Sequence, residues 1–192
     1  AYERAMEEAR AHGVRKQHAA PQLFCKAEPI DGVSKADPPP RAIQACDTIY
    51  AVVFAQYILP IEHEIYRWKD KGVLPPARCI GKGLNQVQRG ALVAAAFTAL
   101  RNPVAFSLDV SRFDLNVSEE LLRLECFVYT HMCPSRELAK LKRWQYRTRG
   151  RTSTGIRYEM RGRRQSGKHD TGLGNSLLSL LMAANTCARL KI

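Results

Sequence analysis

Long apolar runs are missing from this sequence of 192 residues. The longest run, TIYAVVFAQYILPI at 48–61, is interrupted by Gln56 and Pro60. A helix needs about 20 apolar residues to cross a bilayer, so the sequence predicts no transmembrane segment. A secretory leader is not expected either, because no charged, then apolar, then small-residue pattern is evident.

Cysteine pairs with metal or redox spacing are also missing. The sequence has 6 cysteines, and none of them forms a C-x-x-C motif. We therefore expect reduced, mostly buried thiols in a cytosolic protein, and no disulfide framework. Internal repeats and low-complexity tracts are absent as well. The chain is long enough to bury a substantial core in one domain or two lobes.

Acidic residues are scarce between 142 and 168. The whole chain has 30 Lys and Arg against 18 Asp and Glu, a net charge of +12. Residues 142–168 contain ten of the basic residues and a single acid, Glu159. Trp144, Tyr146 and Tyr158 lie among them. The alternative is a solvated face, but such faces usually mix both signs, so the imbalance favours an RNA or other polyanionic partner.

Helix and strand signals are irregularly mixed along the chain, which predicts an α+β fold. A strand is expected at 104–109, VAFSLD, and a hairpin at 151–164. Residues 20–44 should be extended, because consecutive prolines exclude a helix there. The expected helices span residues 1–13, about 47–72 with a bend at Pro60, 85–102, a segment capped by Ser118, about 135–148, and 171–190.

The stretch GRRQSGKHD at 162–170 matches most of a phosphate-binding loop. Gly162, Gly167 and Lys168 satisfy G-x-x-x-x-G-K, but His169 occupies the position of the hydroxyl residue that binds Mg²⁺. The preceding GIRYEMRG alternates apolar and charged residues, which indicates a half-exposed strand and not the buried strand of such a loop. A damaged phosphate loop, a solvated basic turn and another phosphate-handling site remain open at this point.

Two acidic residues accompany the expected strand in SLDVSRFDLNVS. Asp109 closes the strand, and Asp114 lies in the turn before the next helix. A carboxylate at a strand end beside a basic groove is suited to hold Mg²⁺ for phosphoryl transfer. The structural alternative is that Asp109 caps a turn and Asp114 pairs with Arg112.

Basic residues also lie on the extended segment KAEPIDGVSKADPPPRAIQ. Lys26, Lys35 and Arg41 are suited there to bind a triphosphate, although isolated residues of this kind are more often surface charge. Downstream, Thr171 and Asn175 are four residues apart and therefore lie on one face of the expected helix.

Together these segments resemble the RNA-dependent RNA polymerases of positive-strand RNA viruses, most closely the tombusvirus-like group. PPPRAIQ is similar to fingertip motif F, SLDVSRFDLNVS to palm motif A, and RRQSGKHDTGLGNSLL to motif B with its S-G-x₃-T-x₃-N core. The resemblance covers about residues 22–182. Related enzymes often have DMN where this chain has KHD, so the roles of Lys168, His169 and Asp170 stay open.

The resemblance implies a right-hand polymerase fold with fingers and a partial palm, in which helices pack on an incomplete antiparallel sheet. Residues 1–103 would be fingers with motif F, 104–130 palm with motif A, 131–165 a basic insertion and hairpin, and 166–192 the palm loop and helix of motif B. The C-terminal palm and thumb, with their G-D-D motif, are expected to be absent, so the chain alone should be inactive.

The resemblance also implies residue roles. Asp109 would bind the catalytic Mg²⁺, with Mn²⁺ as the alternative ion, and Asp114 would be catalytic and recognise the ribose 2′-OH with Asn175. The residues implied in nucleotide binding are Lys26, Lys35, Arg41, Asp114, Ser166, Gly167, Thr171 and Asn175. The residues expected to bind RNA are Arg147, Arg149, Arg151, Arg163, Arg164 and Lys168.

The implied reaction is template-directed RNA synthesis from nucleoside triphosphates by two metal ions, during viral genome replication. The implied partners are template and nascent RNA, nucleoside triphosphates, the remaining palm and thumb, and other replicase proteins at membrane-associated complexes in the host cytoplasm. The rival hypothesis is a non-catalytic RNA-binding protein, which would need neither Asp109 nor Asn175. A phosphate-loop NTPase is the more distant alternative.

Overall fold

Helices alternate irregularly with short strands in the described residues, 1–29, 40–70 and 77–190, of this computed structural model. This arrangement agrees with the expected α+β class. The helices are α1 Tyr2–His12, α2 Thr48–Ile65, α3 Gln86–Ala99, α4 Phe113–Asn116, α5 Glu119–Met132, α6 Arg136–Arg143 and α7 Thr171–Leu190. The strands are β1 Gln22–Cys25, β2 Ala42–Ala45, β3 Lys69–Asp70, β4 Ala77–Arg78, β5 Arg147–Thr152 and β6 Arg157–Arg161.

Helix α2 forms the centre of the hydrophobic core. Its side chains Tyr50, Phe54, Ile58 and Ile65 are fully buried, at intervals that place them on one helix face. Pro60 lies inside the helix without ending it. The helix stops earlier than expected because residues 69–70 pair with residues 77–78 in a small sheet. Helices α5, α6 and α7 cover the core with Tyr129, Leu138, Leu141, Leu173 and Leu177.

Several helix ends follow their sequence signals. Helix α1 ends before Gly13, whose φ of 70° favours glycine. The Ser118 hydroxyl accepts a hydrogen bond from Leu121 N at 3.4 Å and caps α5. Helix α7 begins at Thr171, as expected. Within the described ranges, no helix is both long and apolar enough to span a membrane. Of the cysteines, which we expected to be mostly buried, Cys126 is buried, three are half-buried and two are exposed.

Four strands form a mixed sheet in the order β2-β1-β5-β6. Strand β1 pairs antiparallel with β2 and parallel with β5, and β5 pairs antiparallel with β6. The hairpin is therefore present, but it begins at Arg147, inside the range expected for the basic helix. Residues 147–152 alternate arginine with Thr148, Gly150 and Thr152, a period of two that suits a strand and ends α6 at Arg143.

The strand expected at 104–109 is not formed, and this prediction was wrong for the described residues. Val104, Phe106 and Leu108 are 85%, 71% and 78% exposed. A strand needs a neighbour to satisfy its backbone hydrogen bonds, and no described segment pairs with this one. The sheet that does form contains a parallel pair and excludes residues 104–109, so it is not the antiparallel sheet we expected.

Candidate nucleotide and RNA site

Two polar side chains from a distant part of the sequence, those of Ser166 and Asn175, meet the carboxylate of Asp114. Its Oδ1 accepts a hydrogen bond from Asn175 Nδ2 at 2.8 Å, and its Oδ2 accepts one from Ser166 Oγ at 2.5 Å. All three residues are half-buried. Neither Asp114 oxygen contacts Arg112 among the described residues, so the ion pair considered as a structural alternative is not formed. The structure thus brings together the motif A and motif B residues that the resemblance linked.

The one-turn helix α4 positions Asp114 against the loop 164–170. Arg112, just before α4, has left-handed backbone angles of φ 50° and ψ 49°. Behind the helix, Phe113 packs against a small buried cluster that includes Val117. The loop joins α4 through its backbone, because Arg164 N donates to Asp114 O at 2.9 Å and Arg163 N donates to Val117 O at 2.7 Å.

The loop 164–170 also rests on β2, which includes the last three residues of the expected motif F. Gln44 N donates to Ser166 O at 2.9 Å. Gly167 has a φ of 97°, and a Cβ there would lie 3.2 Å from Ile43 Cγ2. Only glycine adopts this backbone readily, so both conformation and space favour it at 167. Thr171 Oγ1 donates to Gln165 O at 3.0 Å and closes the turn before α7.

Two of the expected triphosphate-binding residues converge on a carboxylate that we did not anticipate. The pairing of β1 with β2 is extended by a 2.7 Å hydrogen bond from Lys26 N to Arg41 O. Glu28 lies 2.7 Å from Lys26 Nζ and 3.4 Å from Arg41 Nη1. The hydrogen bond from Lys26, with the charge of Arg41, lowers the pKa of Glu28. Lys35, the third expected residue, lies outside the described residues.

Asp109 is exposed, with no hydrogen-bond or ion-pair partner among the described residues. A carboxylate is a suitable Mg²⁺ ligand. Across residues 1–29, 40–70 and 77–190, however, no three His, Cys, Asp or Glu side chains are grouped so that they could hold a metal ion. Asp109 therefore fits as one ligand, and the described residues do not by themselves fit a complete site for two ions.

The β5–β6 hairpin carries most of the expected RNA-binding arginines. Arg147, Arg149, Arg151 and Arg163 are exposed. Arg147 and Arg149 both pair with Glu159 on β6, and the Arg149–Glu159 distance is 2.8 Å. These pairs lower the pKa of Glu159. The single acid of the basic segment thus holds two of its arginines, while Arg151 has no such pair among the described residues.

A groove of about 780 Å³ lies beside the hairpin and is lined in part by Arg151, Arg157 and Tyr158. Gly150 makes this geometry possible, because a Cβ there would overlap the Tyr158 ring. The Tyr158 hydroxyl donates to Gln44 Oε1 at 3.0 Å. Exposed arginines next to an aromatic ring are suited to phosphates and bases of single-stranded RNA.

Two of the expected RNA-binding residues are buried, which corrects the prediction. Arg164 and Lys168 are only 3% and 6% exposed. Arg164 pairs with Glu125, and Lys168 Nζ lies 4.0 Å from the centre of the Tyr50 ring and donates to Ala19 O at 3.3 Å. Side chains enclosed in this way cannot reach RNA phosphates, so neither belongs to the RNA-binding surface.

Four charged side chains form a buried cluster behind the loop: Glu125, Lys142, Arg164 and Asp170. Arg164 Nη1 donates to Glu125 Oε2 at 3.2 Å, and its Nη2 donates to Oε1. Lys142 Nζ lies 3.1 Å from Glu125 Oε2 and 2.6 Å from Asp170 Oδ2. Burial alone would raise the pKa of Asp170, but the charges of Lys142 and Arg164 hold it below its usual value. Two cations and two anions leave the cluster neutral.

Lys168 adds a fifth buried charged group close to this cluster. Burial lowers the pKa of Lys168 to about 8, although Cys46 and Asp170 oppose this shift. The sequence did not reveal this environment, because the aromatic and backbone groups around Lys168 come from α2 and from residues before β1.

A second cavity, of about 520 Å³, lies along α7 and is lined in part by Asn175, Ser176 and Lys82. Lys82 extends so close to the start of α7 that a Cβ at Gly172 would overlap its Nζ. The Asn175 Oδ1 atom is buried and accepts no hydrogen bond from the described residues. Sequence reasoning missed Lys82, because it lies in a turn outside the recognised motifs.

The candidate site combines the polar cluster at Asp114, the basic β5–β6 hairpin and the exposed carboxylate of Asp109. The sequence model of the family described as viral RNA dependent RNA polymerase matches residues 1–192. The chain therefore belongs to the viral RNA-dependent RNA polymerase family. The match extends over more of the chain than residues 22–182, where we found the resemblance.

Three curated relatives are similar to this chain over almost its full length. The RNA-directed RNA polymerase of Groundnut rosette virus (strain MC1) is 39% identical over 194 residues, covering 100% of this chain and 23% of the relative. That of Maize chlorotic mottle virus is 36% identical over 195 residues, covering 100% of this chain and 20% of the relative. That of Tomato bushy stunt virus (strain Cherry) is 36% identical over 185 residues, covering 94% of this chain and 22% of the relative. The chain thus spans about a fifth to a quarter of the length of these relatives.

Proposed function

We propose that this chain is the nucleotide-selecting and RNA-guiding part of a polymerase that synthesises RNA on an RNA template from nucleoside triphosphates. The observation that carries the proposal is the convergence of Asp114, Ser166 and Asn175. A non-catalytic RNA-binding protein has no need for a polar cluster of this kind beside its basic surface.

The cluster can recognise a ribose hydroxyl by hydrogen bonding. An ionised carboxylate offers about four acceptor positions, and Asp114 uses one on each oxygen for its two partners. Asn175 Oδ1 is a further acceptor without a donor among the described residues. A ribose 2′-OH would supply that donor, whereas a deoxyribose would leave the acceptor unpaired.

The phosphate groups would be bound by the basic residues on either side of this cluster. Lys26 and Arg41 would exchange Glu28 for the triphosphate, because a phosphate carries more negative charge and more acceptor atoms than a carboxylate. The exposed arginines of the hairpin, Arg147, Arg149 and Arg151, would contact the RNA backbone. Lys35 and Arg163 stay in these two sets as predictions.

A divalent metal, Mg²⁺ or Mn²⁺, would neutralise charge that develops on the transferred phosphate. Asp109 would provide one ligand, and the others would come from outside the described residues. The partners in the complete polymerase would be the remaining palm and thumb and other replicase proteins. The proposed location is a membrane-associated replication complex in the host cytoplasm.

Asn175→Ala in the complete polymerase tests the ribose-recognition step. Losing one hydrogen bond in a desolvated site costs about 1–3 kcal/mol, so the ratio of kcat/KM for GTP over dGTP should fall by about tenfold. Asn185→Ala is the matched control, since Asn185 lies on the exposed part of the same helix α7. Equal discrimination in Asn175→Ala and the parent would count against the assignment, and RNA binding without any synthesis would favour the RNA-binding alternative.

A further inference from the structure

The loop 164–170, which carries Ser166, is held at both ends by the buried charged cluster. At the start of the loop, Arg164 binds Glu125 of α5. At the end of the loop, Asp170 binds Lys142 of α6. Lys142 also contacts Glu125. These contacts form one continuous chain of charges that closes the base of the loop, although none of these residues touches Asp114 through its side chain.

The cluster also lies directly against the helix that carries Asn175. A Cβ at Gly174 would come within 2.7 Å of Glu125 Oε1 and would overlap the Arg164 guanidinium. Helix α7 can therefore approach the cluster only because residue 174 has no side chain. Asn175 follows Gly174 in the sequence, so both hydrogen-bond donors to Asp114 depend on elements that pack on this cluster.

We propose that Lys142 is a positioning residue for nucleotide selection: it holds the Ser166 loop and the start of α7 against Asp114 by bridging Asp170 and Glu125. This inference deepens the proposed function and rests on it. Lys142 is fully buried and its Nζ also lies 3.2 Å from Gln145 Oε1, so its ammonium group is held in one place. The proposal gives Asp170 of the KHD segment a role, which is to anchor the end of the loop on Lys142. The resemblance to motif B had left that role open.

Removing the Lys142 charge should move the loop. With methionine at 142, Asp170 would lose its ion-pair partner, because Arg164 pairs with Glu125 and Lys168 is not within ion-pair distance of either carboxylate among the described residues. An unpaired buried charge is strongly unfavourable, so Asp170 would take up a proton or turn towards water and take the loop end with it. Replacing Asp170 by asparagine in the same protein removes the excess charge and should return the loop to its place.

The test compares four forms of the complete polymerase: the parent, Lys142→Met, Lys142→Met with Asp170→Asn, and Lys140→Met. Lys140 is an exposed lysine on the same helix α6 and serves as the control. We expect Lys142→Met to lower the ratio of kcat/KM for GTP over dGTP by about tenfold, the size of one lost hydrogen bond. The double variant should recover most of the ratio, and Lys140→Met should leave it unchanged.

Two results would overturn the inference. One is an unchanged ratio in folded Lys142→Met, and the other is a lowered ratio that Asp170→Asn does not restore, since a purely stabilising role predicts no repair of selectivity. If Lys142→Met does not fold, Asp170→Asn serves as the single variant. The double variant then tests whether adding Lys142→Met restores the ratio. Asn175→Ala separates failure of this inference from failure of the proposed function. If both Asn175→Ala and Lys142→Met leave the GTP-over-dGTP ratio unchanged, the proposed function fails. If Asn175→Ala lowers the ratio and Lys142→Met does not, only this inference fails.

Discussion

Lys168 is a buried amine held by an aromatic ring and a backbone carbonyl, with no carboxylate within ion-pair distance among the described residues. The neighbouring cluster is already neutral, so a charged Lys168 adds an uncompensated positive charge to the interior. Its lowered pKa, about 8, follows from that burial. The position is therefore sensitive to pH in a range where exposed lysines are not.

We expect the contribution of Lys168 to the free energy of unfolding to rise with pH through the Lys168 titration. A lysine in the unfolded state has a pKa of about 10.4, so between pH 8 and that value the unfolded state binds more protons than the folded state. The gain should amount to about 3 kcal/mol at most. Urea unfolding at pH 7 to 10 should show a stability difference between the parent and Lys168→Met that grows with pH.

Exposed Lys16→Met is the control for that measurement, because it removes a lysine from the surface and not from the interior. A parent-minus-Lys168→Met difference that stays flat or declines above pH 8 would exclude a buried, easily deprotonated amine at this position.

At the residue scale, the family resemblance predicted the pairing of Asp114 with Asn175 but not the environment around it. The resemblance linked Asp114 with Asn175 and put Ser166 in the nucleotide-positioning loop, and the three side chains do meet. It could not show burial, so Arg164 and Lys168 were assigned to the RNA-binding surface. Their environments are built from residues far away in the sequence, such as Glu125 and Tyr50, and a single sequence has no signal for such contacts.

The β5–β6 hairpin is the element on which RNA affinity should depend. Replacing Arg147, Arg149 and Arg151 by alanine should weaken binding of single-stranded RNA. The slope of the logarithm of the RNA association constant against the logarithm of the salt concentration should become shallower, by up to about one unit per lost phosphate contact. Glu159 should then repel the backbone that its arginines had attracted. Binding isotherms at several salt concentrations measure both effects.

The matched control for the hairpin is a triple variant at the exposed arginines Arg4, Arg10 and Arg136, which removes the same net charge elsewhere. Glu159→Gln is the opposite test, since it releases Arg147 and Arg149 and should tighten RNA binding. If the hairpin and control triples lose the same slope, net charge alone explains the binding, and the hairpin is only a solvated face.

At the element scale, local signals predicted helices better than strands. Helix caps depend on residues next to one another, so the start of α5 was predicted correctly from Ser118. Helix α7 also begins at the expected residue, Thr171. A strand depends on a neighbour that local sequence does not contain. Residues 104–109 therefore carry a strand pattern without forming a strand among the described residues. The right-hand arrangement and the division into fingers and palm stay predictions.

For the whole molecule, we expect no RNA synthesis from this chain on its own. Two-metal catalysis needs carboxylates placed so that the ions lie about 3.5–4 Å apart, and Asp109 has no such partner among the described residues. Nucleotide incorporation by the purified chain, measured with Mg²⁺ and with Mn²⁺, should equal that of Asp109→Ala. Robust synthesis that Asp109→Ala abolishes would show that the catalytic centre has been misread.

The parallel pairing of β1 with β5 has a consequence for how the chain acquires its structure. The pairing joins Gln22 to Arg151 and Leu23 to Thr152, so the two halves of the sheet are separated by most of the sequence. On a ribosome, the antiparallel strands β1 and β2 are made before β5. The edge of β1 that pairs with β5 stays unpaired while the described helices α2–α6 are synthesised, and a parallel contact of such long range forms slowly. In this interval the open edge of β1 is vulnerable to mispairing with other extended segments, because β5 has not yet been made.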